Sequence, residues 1–154
     1  MPCRTLIVQF ARRPSVGAEA TLILFWTGQG DAMWRDSLRY VLVSLGLMRR
    51  PDLVGRVTDQ HPKPEELTPG LLIVVQDGRH AKWACLRCPG GCGEKLQLSL
   101  NPNRHPAWTA RLDWLRRPTV APSVRQLNAC RCHFWINGGV VEWCADSGRR
   151  GEPS

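Results

Sequence analysis

The pattern of apolar and polar positions predicts β-strands through most of the chain after residue 59. A continuous apolar run at residues 71–75 is typical of a buried strand, and Asp77-Gly78 predicts a hairpin turn after it. Asn137-Gly138-Gly139 predicts a second hairpin. With the segments in which apolar and polar side chains alternate, strands are expected at 71–75, 82–86, 96–100, 108–115, 124–129, 134–136 and 140–143. The fold is therefore predicted to be mainly β (α+β), with a small antiparallel sheet.

The N-terminal residues show other patterns. Residues 5–10 and 19–26 are rich in β-branched and aromatic side chains and predict two strands of a hairpin. Apolar residues then recur at helical spacing between Asp31, a candidate N-cap, and Gly46, a helix stop. This stripe, which is expected to pack against a core, consists of Trp34, Leu38, Val41, Leu42 and Leu45.

A proline-rich connector divides the chain. Residues 59–70 hold three prolines and a Glu65-Glu66 pair, a composition that breaks regular structure. The predicted organisation is a strand–strand–helix extension at 1–58, a zinc-binding β domain at 59–146 and a disordered tail at 147–154. Three tryptophans are expected to fill the core of the β domain: Trp108, Trp135 and Trp143.

Composition narrows the classes of protein. The longest apolar runs are far shorter than a membrane span, and no signal-peptide pattern follows Met1, so a cytoplasmic protein is expected. The net charge of +8 rests on arginine pairs scattered along the chain. Because a nucleic-acid surface usually concentrates its basic residues with exposed aromatics, the scattered pattern favours a solvated surface and supports nucleic-acid binding only weakly.

The cysteines carry the strongest chemical signal. Six of the seven lie in two clusters, one at residues 85–92 and one at residues 130–144. In a reducing compartment, cysteines at such knuckle spacing predict one structural Zn²⁺ rather than disulfides. The predicted ligands are Cys88, Cys92, Cys130 and Cys144, with His133 or Cys85 as alternatives for the fourth position.

Short motifs between residues 64 and 144 carry a family resemblance. They are Cys88-Pro-Gly-Gly-Cys92-Gly, His105-Pro-x-Trp108, Pro122-Ser123-Val, Cys130-x-x-His133-Phe-Trp-Ile and Trp143-Cys144. Together they resemble a small bacterial zinc-ribbon-like family found beside genes for bacterial ubiquitin-like conjugation. The chain departs from that pattern at Gly90, where many members have Cys, and at Cys132, where Ser or Gly is commoner.

The resemblance implies a peptidase or isopeptidase-like hydrolase that acts on a bacterial ubiquitin-like protein, with that protein and its conjugation enzymes as partners. It directs attention to Ser123 as a nucleophile and to His133 or His105 as its base. Two other functions stay open. One is a non-catalytic zinc-ribbon module that binds protein or nucleic acid, and the other is a zinc hydrolase with Glu142 or His105 as base.

Overall fold

The structure, a computed structural model, describes residues 30–128 and 130–148. The hairpin predicted at residues 5–10 and 19–26 and most of the predicted tail lie outside these ranges. Within them the chain forms one helix and eight strands: α1 (Gly30–Ser44), β1 (Val54–Thr58), β2 (Leu71–Asp77), β3 (His80–Arg87), β4 (Lys95–Ser99), β5 (Thr109–Leu112), β6 (Pro118–Arg125), β7 (His133–Asn137) and β8 (Val140–Trp143).

The strands form two four-stranded sheets. The first sheet has the order β1-β2-β3-β4 and the second the order β5-β6-β7-β8. Every neighbouring pair is antiparallel except β1 and β2, which run parallel across the connector at residues 59–70. The mainly β prediction is confirmed, with two small sheets in place of one.

The core lies between the two sheets. Alternate side chains of β2, β3 and β4 meet alternate side chains of β6 and β7, as expected when sheets pack face to face. The buried residues of this cluster that lie in strands are Leu72, Val74, Ala84, Leu86, Leu98, Val120, Val124, Phe134 and Ile136. A smaller cluster on the opposite face of the first sheet contains Leu67, Ile73, Val75 and Cys85.

The hairpins predicted at Asp77-Gly78 and at Asn137-Gly138-Gly139 are confirmed, and glycine explains their geometry. Gly78 has φ +57° between β2 and β3, while Gly138 and Gly139 have φ +53° and +84° between β7 and β8. Two successive residues with positive φ match the right-handed twist of a hairpin, and glycine adopts this conformation without a steric penalty. The second hairpin matters for function because it returns the chain toward the start of β7.

Residues 53–55 link the two sheets. The N–H of Leu53 donates to the carbonyl of Gly139 at 2.8 Å, and the N–H of Gly55 donates to the carbonyl of Arg116 at 2.7 Å. A Cβ at Gly55 would lie 2.2 Å from a methyl carbon of Leu112, so a larger residue there would displace the Leu112 side chain. Strand β1, which the sequence reading did not predict, is thus built into the β domain.

The predicted helix is present, but part of its apolar stripe is exposed. Helix α1 spans Gly30–Ser44, and Gly46, whose φ is +69°, follows its end. Leu38 is half-buried, whereas Trp34 is 47% and Leu45 66% exposed. Helical spacing defines a face without specifying what covers it, so the expectation of a core-facing stripe was wrong for these exposed side chains.

Strand β6 differs most from its prediction. It covers Pro118–Arg125 rather than residues 124–129. Pro118 is the first residue of the strand and Pro122 lies within a bulge, two places where a strand tolerates proline. Ser123 is therefore a strand residue.

The tryptophans contribute to the core from its margin. Trp108 and Trp143 are partly buried and pack against the main cluster, and the ring of Trp143 meets Phe134 edge-on at a centroid distance of 5.5 Å.

No helix in the described ranges is long and apolar enough to cross a membrane.

Candidate functional site

Ser123 and His133 meet on the outer face of the second sheet. Ser123 lies near the end of β6 and His133 begins β7, which pairs with β6 through Arg125. The separation between Ser123 Oγ and His133 Nε2 is 3.0 Å. A hydroxyl and an imidazole at this distance are within hydrogen-bond reach.

A carboxylate extends this pair to a row of three hydrogen-bonded side chains, Ser123, His133 and Asp146. Asp146 Oδ1 lies 2.6 Å from His133 Nδ1, and Asp146 Oδ2 accepts a hydrogen bond from Arg125 at 3.1 Å. The hydrogen bond from His133 holds the pKa of the Asp146 carboxyl below its usual value, with a further contribution from the charge of Arg125. Asp146 is therefore an ionised acceptor near neutral pH.

Two local features place these side chains. Three residues of β6 lie between the pairs Val120↔Ile136 and Val124↔Phe134, where β7 has one, so β6 bulges at Ser123. After β8, a turn closed by the N–H of Ser147 donating to the carbonyl of Cys144 at 3.1 Å carries Asp146 back toward His133. A bulge such as the one in β6 often redirects a side chain.

The hydrogen-bond order fixes the tautomer of His133. An ionised Asp146 can only accept, so Nδ1 carries the proton and donates to it. Nε2 of the neutral ring is then an acceptor, and Ser123 Oγ donates to it. This order allows the imidazole to take the proton of the serine, which is the requirement for an activated serine nucleophile.

A cluster of thiols lies on the core-facing side of the segment that leads into β7. Cys88 Sγ is 3.9 Å from Cys130 Sγ and 3.7 Å from Cys132 Sγ, while Cys130 and Cys132 are 2.8 Å apart. Cys92 Sγ lies within 4.8 Å of the sulfurs of Cys88 and Cys130. This group could hold a metal ion.

Burial shapes the acidity of these thiols. Burial raises the pKa of Cys92 to about 11, and it also raises the pKa of Cys132. Burial acts on Cys130 in the same direction, but hydrogen bonds from the neighbouring thiols outweigh it and lower the pKa of that thiol. Several thiolates packed together require a cation, and a coordinating metal would deprotonate them.

The spacing of the sulfurs fits a tetrahedral thiolate site. With Zn–S bonds of about 2.3 Å, sulfurs at tetrahedral corners lie about 3.8 Å apart. The distances from Cys88 to Cys130 and to Cys132, 3.9 Å and 3.7 Å, agree with this value. The 2.8 Å between Cys130 and Cys132 is shorter than this value. The three thiols that lie within 4.8 Å of one another, Cys88, Cys92 and Cys130, suit a metal such as Zn²⁺.

The other candidate ligands lie elsewhere. The Sγ of Cys144 lies within 4.8 Å of a ring nitrogen of His133 and of a carboxylate oxygen of Asp146. It is not part of the cluster formed by the thiols of Cys88, Cys92 and Cys130. Cys85 is buried in the smaller cluster on the far face of the first sheet. Three of the four predicted metal ligands thus come together, and Cys132 stands beside them where Cys144 was expected.

Two further candidates lie apart from the Ser123–His133 pair. His105 is exposed in the loop before β5, and among the described residues no hydrogen bond joins it to Ser123 or His133. Glu142, on β8, accepts a hydrogen bond from Asn137 at 3.0 Å across the hairpin.

Sequence reasoning missed Asp146 and Cys132. Asp146 is a single acidic residue after a hairpin, and only the turn at residues 144–147 brings it to His133. Cys132 had a usable signal, since a Cys-x-Cys pair begins at Cys130. Strand alternation then separates it from His133: Cys132 faces the core and His133 the outer surface.

Comparison with known protein families matches residues 58–144, more than half of the chain, to a family described as bacterial ubiquitination-like system serine protease (BubE). The matched residues include Ser123 and His133, and Asp146 follows two positions after their end. Comparison with curated proteins and with solved structures gives no match. On the extent of the family match, the chain belongs to the BubE family of bacterial ubiquitination-like system serine proteases.

Proposed function

We propose that this protein is a serine peptidase that cleaves the peptide or isopeptide bond after the C-terminal residue of a bacterial ubiquitin-like protein. Ser123 is the nucleophile, His133 the general base and Asp146 the residue that orients His133. The observation that carries the proposal is the continuous row of hydrogen bonds from Ser123 through His133 to Asp146, at 3.0 Å and 2.6 Å. Membership of a serine protease family supports the same chemistry.

The acylation step follows from this row. Ser123 Oγ attacks the scissile carbonyl carbon while its proton passes to His133 Nε2, and the carbonyl oxygen becomes an oxyanion. Asp146 stabilises the imidazolium through its contact with Nδ1. His133 then gives the proton to the leaving amine, the C–N bond breaks and an ester of Ser123 remains.

Deacylation repeats the sequence with water. His133 removes a proton from a water molecule, whose oxygen attacks the ester carbonyl, and the proton returns to Ser123 Oγ as the C–O bond breaks. The products are the free carboxylate of the ubiquitin-like protein and the regenerated hydroxyl. His133 and Asp146 are partly open to solvent, with side chains 16% and 51% exposed, so water reaches the site.

Zinc is proposed as a structural ion held by Cys88, Cys92, Cys130 and Cys132. When bound, Zn²⁺ would cross-link the loop after β3 to the segment before β7 and so fix the start of the strand that carries His133. An all-thiolate donor set is typical of a closed structural site. This argues against the zinc-hydrolase alternative, since such a site keeps no position for water.

The test uses the ubiquitin-like protein of the same bacterial system, extended by several residues beyond its C-terminus. Wild-type protein is expected to release the extension, and Ser123→Ala and His133→Ala are each expected to lower kcat/KM by at least about 10³-fold. Mass spectrometry of the products measures this loss. Ser37→Ala, which removes an exposed hydroxyl on α1, is the matched control and should keep wild-type activity.

A second readout does not depend on the choice of substrate. A small fluorophosphonate probe should label wild-type protein once, at Ser123, and should not label Ser123→Ala. A wild-type protein that neither reacts with the probe nor cleaves the extended protein would contradict the peptidase proposal and favour the non-catalytic binding module.

A further inference from the structure

A groove of about 250 Å³ opens between the two sheets, and its lining begins at Val124, the residue after Ser123. One wall is strand β4 with the preceding Glu94, and the other is the end of β6 with the residues that follow it, up to Asn128. Trp108 lies in the same lining. Apolar side chains at Leu96, Leu98 and Val124 share this lining with polar groups, and apolar pockets beside an exposed sheet edge can take alternate side chains of an added strand.

The β4 wall presents unpaired backbone groups. Hydrogen-bonded pairs alternate along an antiparallel ladder, and Cys88 bonds to Glu94 while Leu100 bonds to Lys82. The even-numbered residues of β4 therefore bond to β3, and the N–H and C=O groups of Lys95 and Gln97 point outward. In the described ranges no strand pairs with this edge.

The β6 wall connects the groove to the nucleophile. The N–H of Gln126 donates to the carbonyl of Cys132 at 2.8 Å, so the backbone groups of Ser123 and Arg125 face away from β7. The indole of Trp108 donates to the carbonyl of Ser123 at 3.4 Å, and the backbone N–H of Trp108 donates to Ser99 at 2.9 Å. The Ser99 end of β4 is therefore the Ser123 end of the groove.

Gln126 is an unsatisfied polar group in this lining. The residue is 6% exposed, and neither its Nε2 nor its Oε1 has a hydrogen-bond partner among the described residues. Buried amides are nearly always paired, so an unpaired donor and acceptor together need an explanation. One peptide group of a bound chain supplies both an acceptor and a donor.

We propose that this groove binds the extended C-terminal segment of the ubiquitin-like protein by strand addition to β4. The proposal rests on the serine peptidase function above. The segment runs parallel to β4, pairs with the outward groups of Lys95 and Gln97, hydrogen-bonds to the amide of Gln126 and brings its last carbonyl to Ser123 Oγ. Main-chain pairing of this kind gives affinity to a peptide that is extended before it binds.

Hydrogen exchange tests the pairing directly. A peptide that corresponds to the C-terminal segment of the ubiquitin-like protein is added to Ser123→Ala protein, and amide exchange is followed by NMR. The amides of Lys95 and Gln97 should exchange at least tenfold more slowly with peptide bound, while those of Leu96 and Leu98, already bonded to β3, should change little. Binding that leaves the amides of Lys95 and Gln97 unprotected would overturn the proposal.

A pair of variants tests the role of Gln126. Gln126→Leu should weaken binding of the same peptide about tenfold, whereas Gln60→Leu, at an exposed position within the connector, should bind it as the parent does. Calorimetric titration measures both, and thermal unfolding of each variant checks that the fold is kept. Unchanged affinity in a folded Gln126→Leu protein would overturn the contact. Labelling of wild-type protein by the fluorophosphonate reports on the peptidase site separately, so failure of the groove does not imply failure of the nucleophile.

Discussion

The thiol cluster and the Ser123–His133–Asp146 row use one short segment in opposite ways. Cys132 is fully buried and points toward the core, while the next residue, His133, lies on the outer face with its side chain 16% exposed. The thiol cluster joins chain segments far apart in sequence, since Cys88 and Cys130 are separated by 42 positions. In the row of hydrogen bonds, by contrast, Ser123 and Asp146 lie 10 and 13 positions from His133.

This contrast separates a site suited to stability from one suited to turnover. Burial raises the pKa values of the Cys92 and Cys132 thiols, so a cation is needed to ionise them. In the other site a hydrogen bond lowers the pKa of a half-exposed carboxylate, and water can reach the imidazole. Removing a ligand should therefore unfold the protein, whereas removing a member of the row should leave a folded, inactive one.

The largest expected effect is the loss of a central thiol. Cys88→Ser should abolish stoichiometric zinc and unfold the β domain at moderate temperature, because structural zinc binding can contribute on the order of 10 kcal/mol to a folded state. Elemental analysis and thermal unfolding measure the two losses. Cys85→Ala, which alters a buried thiol outside the cluster, should keep its zinc. A folded, active Cys88→Ser protein would remove the distinction between the two sites.

The next effect sharpens the boundary between the sites, because Cys132 and Cys144 flank His133 in space. Cys132→Ser should lose most of its zinc and much of its thermal stability, as expected when one of four ligands is removed. Cys144→Ser should keep its zinc, since the Sγ of Cys144 lies beside His133 and Asp146 rather than among the clustered thiols. Zinc content of the two purified variants decides between them. Loss of zinc from Cys144→Ser alone would restore Cys144 as the fourth ligand.

A smaller effect is expected at Asp146. Asp146→Asn should keep zinc and fold, yet lower kcat/KM on the order of 10³-fold, because an amide no longer holds the Nδ1–H tautomer of His133. A lowered carboxyl pKa means that the contribution of Asp146 to stability is complete above its usual pKa of 3.8 and is lost as the pH falls below that value. The variant should therefore show a constant deficit between pH 6 and 8. Recovery of activity within that window would contradict an orienting role.

The sequence predicted local features well where one or two residues dictate the backbone. Asp77-Gly78 and Asn137-Gly138-Gly139 gave the correct hairpins, since glycine is needed at positive φ. It failed at β6, which begins at Pro118 and accommodates Pro122 in a bulge, although the strand was expected at residues 124–129. It also missed β1, since five residues of moderate polarity do not reveal a parallel partner 17 positions away.

Within the candidate sites, residue type and spacing by themselves indicated a cysteine cluster, because thiols at knuckle spacing are typical of a metal site. The family motifs in the sequence pointed to Ser123 with His133 or His105. Only the tertiary structure decided which thiols meet and which acid faces His133. Those choices depend on side-chain direction: alternation sends Cys132 inward and His133 outward, and the turn after β8 carries Asp146 to the ring. A pattern along the chain records neither direction nor the partner across the fold.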